Sequence, residues 1–164
     1  MVVEAKVKIS DFGLSRALGV GEEYYRSNFT EGMKLPIAWC APECINFLKF
    51  TTASDVWAFG VTLWEMFSYG IQPWARLNGQ QILSTIDVPR SQRLEQPDAC
   101  PQEFYALMLQ CWEHDETARP KFSEIKTVLP EIKPERVQTI QPCNDGQFDH
   151  LQYKSGDVIT ILNK

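Results

Sequence analysis

The sequence predicts a mainly α-helical body followed by a small β unit. Apolar residues crowd positions 56–67 so densely that a helix inside a core is the arrangement that shelters them. Three later stretches, 80–86, 102–112 and 122–129, space their apolar residues three and four apart, which is the helical interval. Alternation with a period of two is confined to the two ends, at Ala5, Val7 and Ile9 and again within 151–162.

Taken in order, Ala5, Val7 and Ile9 alternate with Lys6 and Lys8 as a strand that stops at Asp11-Phe12-Gly13, where a glycine can turn the chain. No other strong strand pattern precedes residue 150, so partners for this strand are expected upstream. The stretch 18–36 is rich in Gly, Glu, Tyr, Ser and Asn without any period and reads as a long mobile loop. A helix is expected from a Ser54 cap to about Ser68, with Gly70 ending it. Val56, Trp57, Phe59, Val61, Leu63, Trp64, Met66 and Phe67 cover nearly every face, so this helix is expected to be buried all round, with Asp55 in apolar company. Pro73-Trp74 marks a turn, and Asn78 can cap a helix through Ile82, Leu83 and Ile86 before Pro89. The next helices, 102–112 and 122–129, are joined to it and to each other by loops, the last one ended by Pro130. Residues 130–148 turn polar and read as a linker. From 149 to 164, Leu151 and Tyr153, a turn at Gly156-Asp157 and the run 158–162 read as strand, turn and strand. Two such strands bury no core, so this β unit is expected to be incomplete.

Composition narrows the function classes. The 164 residues carry 16 Lys+Arg against 21 Asp+Glu, a net charge of -5, with no basic run to track a phosphate backbone, which argues against nucleic-acid binding. With 44% hydrophobic and 23% charged residues the chain is globular rather than disordered. Five cysteines, at 40, 44, 100, 111 and 143, are odd in number and form no CxxC pair, so neither a disulfide framework nor a zinc ribbon is indicated. Reduced thiols point to the cytoplasm; the cysteines are expected to be buried, with Cys40 as the candidate for an accessible one. The apolar run at 56–66 is too short to span a bilayer, so no integral membrane segment is expected. His114 and His150 are isolated, without a second ligand or nucleophile at useful spacing.

The motifs gain weight in combination. Asp11-Phe12-Gly13 is followed about thirty residues later by Ala41-Pro42-Glu43, with Tyr24 and Tyr25 between them and the dense apolar helix after. These blocks, VKISDFGLSRA at 7–17, LPIAWCAPE at 35–43, SDVWAFGVTLWEMFSYG at 54–70 and CWEHDETARP at 111–120, resemble the carboxy-terminal lobe of a protein kinase. AWCAPE at 38–43, FGVTLWEMFSYG at 59–70 and PWARLNGQQIL at 73–83 are similar to the Ack-type non-receptor tyrosine kinases, in which a Src-homology 3 (SH3) domain follows the kinase. The resemblance implies a partial kinase domain at 1–129, the linker at 130–148, and at 149–164 the start of an SH3-like small β-barrel, although QPCND at 141–145 replaces the usual aromatic-rich opening.

What the resemblance implies about the site follows residue by residue. Asp11 would bind the Mg2+ that bridges the phosphates of ATP, since a hard oxygen ligand at a strand end suits that cation, and Phe12 would pack on a regulatory helix. Tyr25, with Tyr24 beside it, would be the activation-loop phosphorylation site. Leu35, Pro36, Ile37 and Trp39 would form the platform for a tyrosine substrate, because a phenol is longer than an aliphatic hydroxyl and a proline ledge sets the substrate backbone back. Glu43 and Arg119 would form a structural ion pair. Asp55 would be a buried carboxylate accepting hydrogen bonds from the catalytic-loop backbone, or, read from the residues alone, a helix-cap acid. No catalytic base occurs in the sequence, and neither do the glycine-rich loop, the phosphate-pairing lysine and the Asn metal ligand. The 164 residues alone are therefore expected to be inactive, as part of a longer kinase acting on protein tyrosine. Small GTPase and proline-rich ligands, and membrane association through partners, are implied for the longer protein. The alternative is a non-catalytic interaction module or competitor.

Overall fold

The computed structural model describes residues 8–19, 21, 24–26 and 35–161. The first strand was expected over Ala5, Val7 and Ile9; residues 5 and 7 lie outside the described residues, and Lys8, Ile9 and Ser10 have no regular structure. Within the stretch expected to be a loop, β1 (Tyr25–Arg26) pairs antiparallel with β2 (Lys49–Phe50), Tyr25 opposite Phe50 and Arg26 opposite Lys49. Two residues per strand are too few to leave an alternating pattern, which is why neither strand is visible in the sequence.

Between them lie a 3-10 turn, Ile37–Trp39, and a short helix, α1 (Pro42–Phe47). Proline occupies the first position of α1, where its missing N–H costs nothing, and Glu43 follows in the first turn. Leu48, with φ of 52°, ends the helix in the left-handed region.

The central helix is α2 (Thr52–Phe67). Its cap is Thr51 rather than Ser54: the Thr51 hydroxyl accepts from the Ser54 amide, and the Ser54 hydroxyl accepts in return from the Thr51 amide, a reciprocal box that satisfies two free donors. Gly70 closes the far end as expected, at φ of 82°, its amide donating to the Glu65 carbonyl. The expectation of a helix buried on all sides is corrected. Thr52, Asp55, Thr62 and Met66 are exposed, and their spacing of three, seven and four puts them along one stripe. The opposite face carries Val56, Trp57, Val61 and Leu63 into the core.

That core closes against α4 (Gln102–Cys111), which buries Leu107, Met108 and Cys111 as its spacing predicts, with Trp112 just beyond. Gly60 is the point of closest approach: a Cβ there would stand 2.7 Å from Trp112 Nε1 and 2.9 Å from Cys111 Cβ. Helix α3 (Gly79–Ile86) is capped by Asn78, whose side chain accepts from the Gln81 amide while Gln81 accepts from the Asn78 amide. Helix α5 (Phe122–Glu131) runs past the expected stop at Leu129 and includes Pro130.

The stretch 130–148, expected as a linker, contributes structure. Strand β3 (Arg136–Gln138) pairs antiparallel with β4 (Val158–Thr160), and Cys143 bridges to Tyr153. Leu151 and Tyr153 therefore do not form the hairpin partner of β4; Arg136–Gln138 does. All three β3 residues are exposed, so no buried face announced the strand.

Candidate functional site

A cavity of about 540 Å³ lies where the segment after Asp11-Phe12-Gly13, the β1–β2 pair, the 3-10 turn and the first turns of α2 converge. Of the residues singled out in the sequence, Tyr25, Leu35, Pro36, Trp39 and Asp55 line it. Ile37 points elsewhere, toward Gly79 at the start of α3, where a Cβ would sit 3.5 Å from Ile37 Cγ1. Asp11 is not part of the wall.

Residues 35–40 are held from two sides. Backbone bonds from the Trp39 amide to Pro36 O and from the Cys40 amide to Ile37 O, at 3.0 and 3.1 Å, wind the 3-10 turn. The Trp39 indole N–H donates to Glu65 Oε2 of α2 at 2.8 Å, tying the turn to the central helix. Glu65 and Gly79 escaped the sequence reading because a single carboxylate and a single glycine inside helical patterns carry no positional signal. Cys40 is buried rather than accessible, its thiol donating to Pro36 O at 3.3 Å. Burial, with Cys44 alongside, pushes the Cys40 thiol up to about 12, so it stays protonated.

Behind this turn, Glu43 and Arg119 are brought together as an ion pair. Nη1 to Oε1 is 2.6 Å and Nη2 to Oε2 is 2.9 Å, a bidentate fork with the Arg119 side chain wholly buried. The same guanidinium donates to Ala53 O and Glu113 O and stacks 5.1 Å above the Trp57 ring. Arg93 lies 4.9 Å over that ring as well, and donates to Trp112 O and Ile86 O. Arg93 sits alone in an irregular stretch, where the sequence offers no pattern to mark it.

Asp55 departs from its expected environment. It is exposed at the cavity rim rather than buried, because it falls on the solvent stripe of α2. The cavity wall still withholds enough water to raise its carboxyl above the usual aspartate range. Among the described residues, none donates a hydrogen bond to that carboxylate, and Thr51 rather than Asp55 is the helix cap.

Asp11 is exposed in the left-handed region, φ 61°, with Oδ1 accepting from the Gly13 amide at 3.3 Å. Aspartate is one of the few side chains that adopts this backbone readily, because it can bond locally. Phe12 is two-thirds exposed. As a hard, solvent-facing oxygen donor Asp11 fits one ligand position of a magnesium ion. Among the described residues, no group of three or more His, Cys, Asp or Glu is placed to hold a metal by itself. Tyr24 is half exposed, with Lys49 Nζ 5.7 Å above its ring, and Tyr25 is half buried in β1.

Comparison with known proteins matches this arrangement to a family. The protein tyrosine and serine/threonine kinase family matches residues 1–129. The chain belongs to the protein kinase family, on its Ack-type tyrosine-kinase branch. An activated Cdc42 kinase-like protein of Drosophila melanogaster is 63% identical over 97% of this chain, and an Ack-related non-receptor tyrosine kinase of Caenorhabditis elegans is 53% identical over 96%. The tyrosine-protein kinase SYK of Gallus gallus is 46% identical over 79%. The chain spans only 12% and 15% of the length of the first two relatives. Their match runs past residue 129, across the stretch that holds β3 and β4. Among the described residues, no helix is long and apolar enough to cross a membrane.

Proposed function

We propose that this chain supplies the activation segment and substrate-holding lobe of an ATP-dependent tyrosine kinase that moves the γ-phosphoryl group of ATP to the phenol of protein tyrosine. The observation that carries the reading is the platform. Leu35, Pro36 and Trp39 form a ledge on the cavity, clamped to α2 through Glu65 and braced on α3 through Ile37. A fixed ledge is what phosphoryl transfer asks of the substrate side, because positioning accounts for much of the rate. The Glu43–Arg119 fork anchors the following turn, so the ledge cannot drift from the helical core.

Asp11 would hold Mg2+, which neutralises the charge of the nucleotide phosphates when bound. The solvent-facing position of Asp11 leaves it free to meet nucleotide and metal brought by the rest of a kinase domain. Asp55, at the rim of the same cavity and without a donor to its carboxylate among the described residues, is suited to receive backbone donors from a catalytic loop. Tyr25 and Tyr24 are the phosphorylation sites of the segment. The pairing of β3 with β4 supports reading the end of the chain as part of an SH3-like unit, with proline-rich ligands. The name of the activated Cdc42 kinase-like relative supports a small GTPase partner for the longer protein, and the reduced cysteines support a cytoplasmic setting.

The test is phosphotransfer to a poly(Glu,Tyr) substrate with Mg2+ and ATP, comparing this chain, a longer product carrying a full kinase domain, and that product with Asp11→Ala. The expected result is activity in the longer product alone, lost in the Asp11→Ala variant. A folded longer product that is silent, or an Asp11→Ala variant that keeps full rate, overturns the proposal.

A further inference from the structure

The ion pair between Lys49 of β2 and Glu116 joins the activation segment to the turn that carries Arg119. Glu116 belongs to the 3-10 turn Glu116–Ala118, one residue before Arg119. Both side chains of this pair are about one-third exposed, at 33% and 28%. The hydrogen bond to Glu116 is the chief reason the Lys49 ammonium is held above the usual lysine range, with Glu43 and Tyr24 adding to it. Only one carboxylate oxygen is used: Glu116 Oε2 is buried and has no hydrogen-bond partner among the described residues. Lys49 also faces a second group, since its Nζ stands over the Tyr24 ring at 5.7 Å.

The two neighbouring tyrosines are placed differently. Tyr25 is paired in β1 against Phe50 and lines the cavity. Tyr24 is outside the strand, nearly half exposed, with a cationic side chain across its ring. Register alone explains this: Lys49 opposes Arg26 in the ladder, so its side chain lies on the same side as the residue two before Arg26.

We propose that Lys49 is a phosphate-reading cation, and that a phosphate on Tyr24 draws it away from Glu116. The proposal rests on reading this segment as a phosphorylatable activation loop. In the modification, the Tyr24 phenolic oxygen bonds to the γ-phosphorus of ATP, the bond from that phosphorus to the bridging oxygen breaks, and ADP leaves. The phenolic proton passes to a base of the modifying tyrosine kinase. A phosphate adds close to two negative charges and three strong acceptor oxygens, more than the single carboxylate oxygen that Lys49 now engages. The flexible four-carbon stem of lysine lets its head cover the few ångströms from ring face to phosphate. Glu116 then loses its cation, and the turn before Arg119 loses one of its two ties to this segment, the Glu43–Arg119 fork remaining.

The experiment installs phosphotyrosine at position 24 of the chain by genetic-code expansion, which bypasses any modifying enzyme, and follows the phosphate by 31P NMR against pH. The expected second ionisation lies about half a pH unit below that of the same chain carrying phosphotyrosine at position 25. Lys49→Gln is expected to abolish the difference and Lys49→Arg to retain it, which a merely structural role for Lys49 does not predict. Equal midpoints in the parent chain and in Lys49→Gln overturn the proposal. A separate arm exposes the unmodified chain to ATP and an active tyrosine kinase, with Tyr25→Phe and with peptide mapping to place the phosphate among Tyr24, Tyr69, Tyr105 and Tyr153. Phosphate incorporated at Tyr24 supports the proposal as a natural switch. No incorporation overturns the activation-loop reading on which it rests, and the NMR arm reports the Lys49 exchange independently.

Discussion

Replacing Arg119 by methionine removes a buried cation while keeping much of its volume. Five hydrogen bonds disappear, to both oxygens of Glu43 and to the carbonyls of Ala53, Glu113 and His114. The stack on Trp57 loses its charge. Glu43, whose side chain is only 11% exposed, is left without its counter-charge. Breaking a buried pair from one side costs about 3–5 kcal/mol, mostly the penalty of the stranded charge. The contrast is the pair of Lys49 and Glu116, about one-third exposed, for which solvent screening leaves about 0.2–1 kcal/mol. Urea unfolding followed by tryptophan fluorescence reads the difference. With a slope of about 2 kcal/mol per molar urea, Arg119→Met should lower the midpoint by about 1.5–2.5 M, and Lys49→Met by less than about 0.5 M. Glu43→Met combined with Arg119→Met should cost far less than the two single changes summed, by at least about 1.5 kcal/mol. An Arg119→Met loss under about 1 kcal/mol, or strict additivity with Glu43→Met, refutes the claim that this fork anchors the platform.

Two further expectations come from the same core. Gly60→Ala sets a methyl group against Trp112 Nε1 and Cys111 Cβ at 2.7 and 2.9 Å, and neither neighbour is free to retreat; it should cost about 1–3 kcal/mol in the same assay. The buried thiols make stability sensitive to alkali. Burial raises Cys44 and Cys100 to about 11 and Cys40 and Cys111 to about 12, against 9.0 for an exposed thiol. Between pH 9 and those values the unfolded chain has released protons that the folded chain keeps, so stability falls as pH rises, by up to about 1.4 kcal/mol per pH unit for each thiol. The contribution is complete below pH 9, and its loss ends once the folded thiols have ionised. Urea midpoints from pH 8 to 10.5 should drop, and drop less steeply in Cys111→Ala; parallel curves for the two proteins contradict the assignment.

The parts of this fold that the sequence reveals are those where burial is dense. Helix α2 is plain from its apolar residues, yet the exposed stripe through Asp55, Thr62 and Met66 is hidden among them. A buried setting for Asp55 follows from those neighbours, and the helix does not give it one. Thr51 and Ser54 are both good capping residues, and only the reciprocal hydrogen bonds show that Thr51 is the cap. The Glu43–Arg119 pair, 76 residues apart in sequence, was legible only through the family resemblance, since nothing local connects the two. The short strands and the exposed strand β3 bury too little to leave a pattern. Arg93, Glu65 and Lys49 act through contacts with residues distant in sequence, which no periodicity encodes.

The most direct measurement is phosphoamino-acid analysis of a protein substrate mixture after incubation with ATP, Mg2+ and a longer product that contains this chain within a full kinase domain. The ledge of Leu35, Pro36 and Trp39 predicts label on tyrosine, reduced when Pro36 and Trp39 are replaced while the fold is retained. Label confined to serine and threonine, or tyrosine label indifferent to those replacements, contradicts the account.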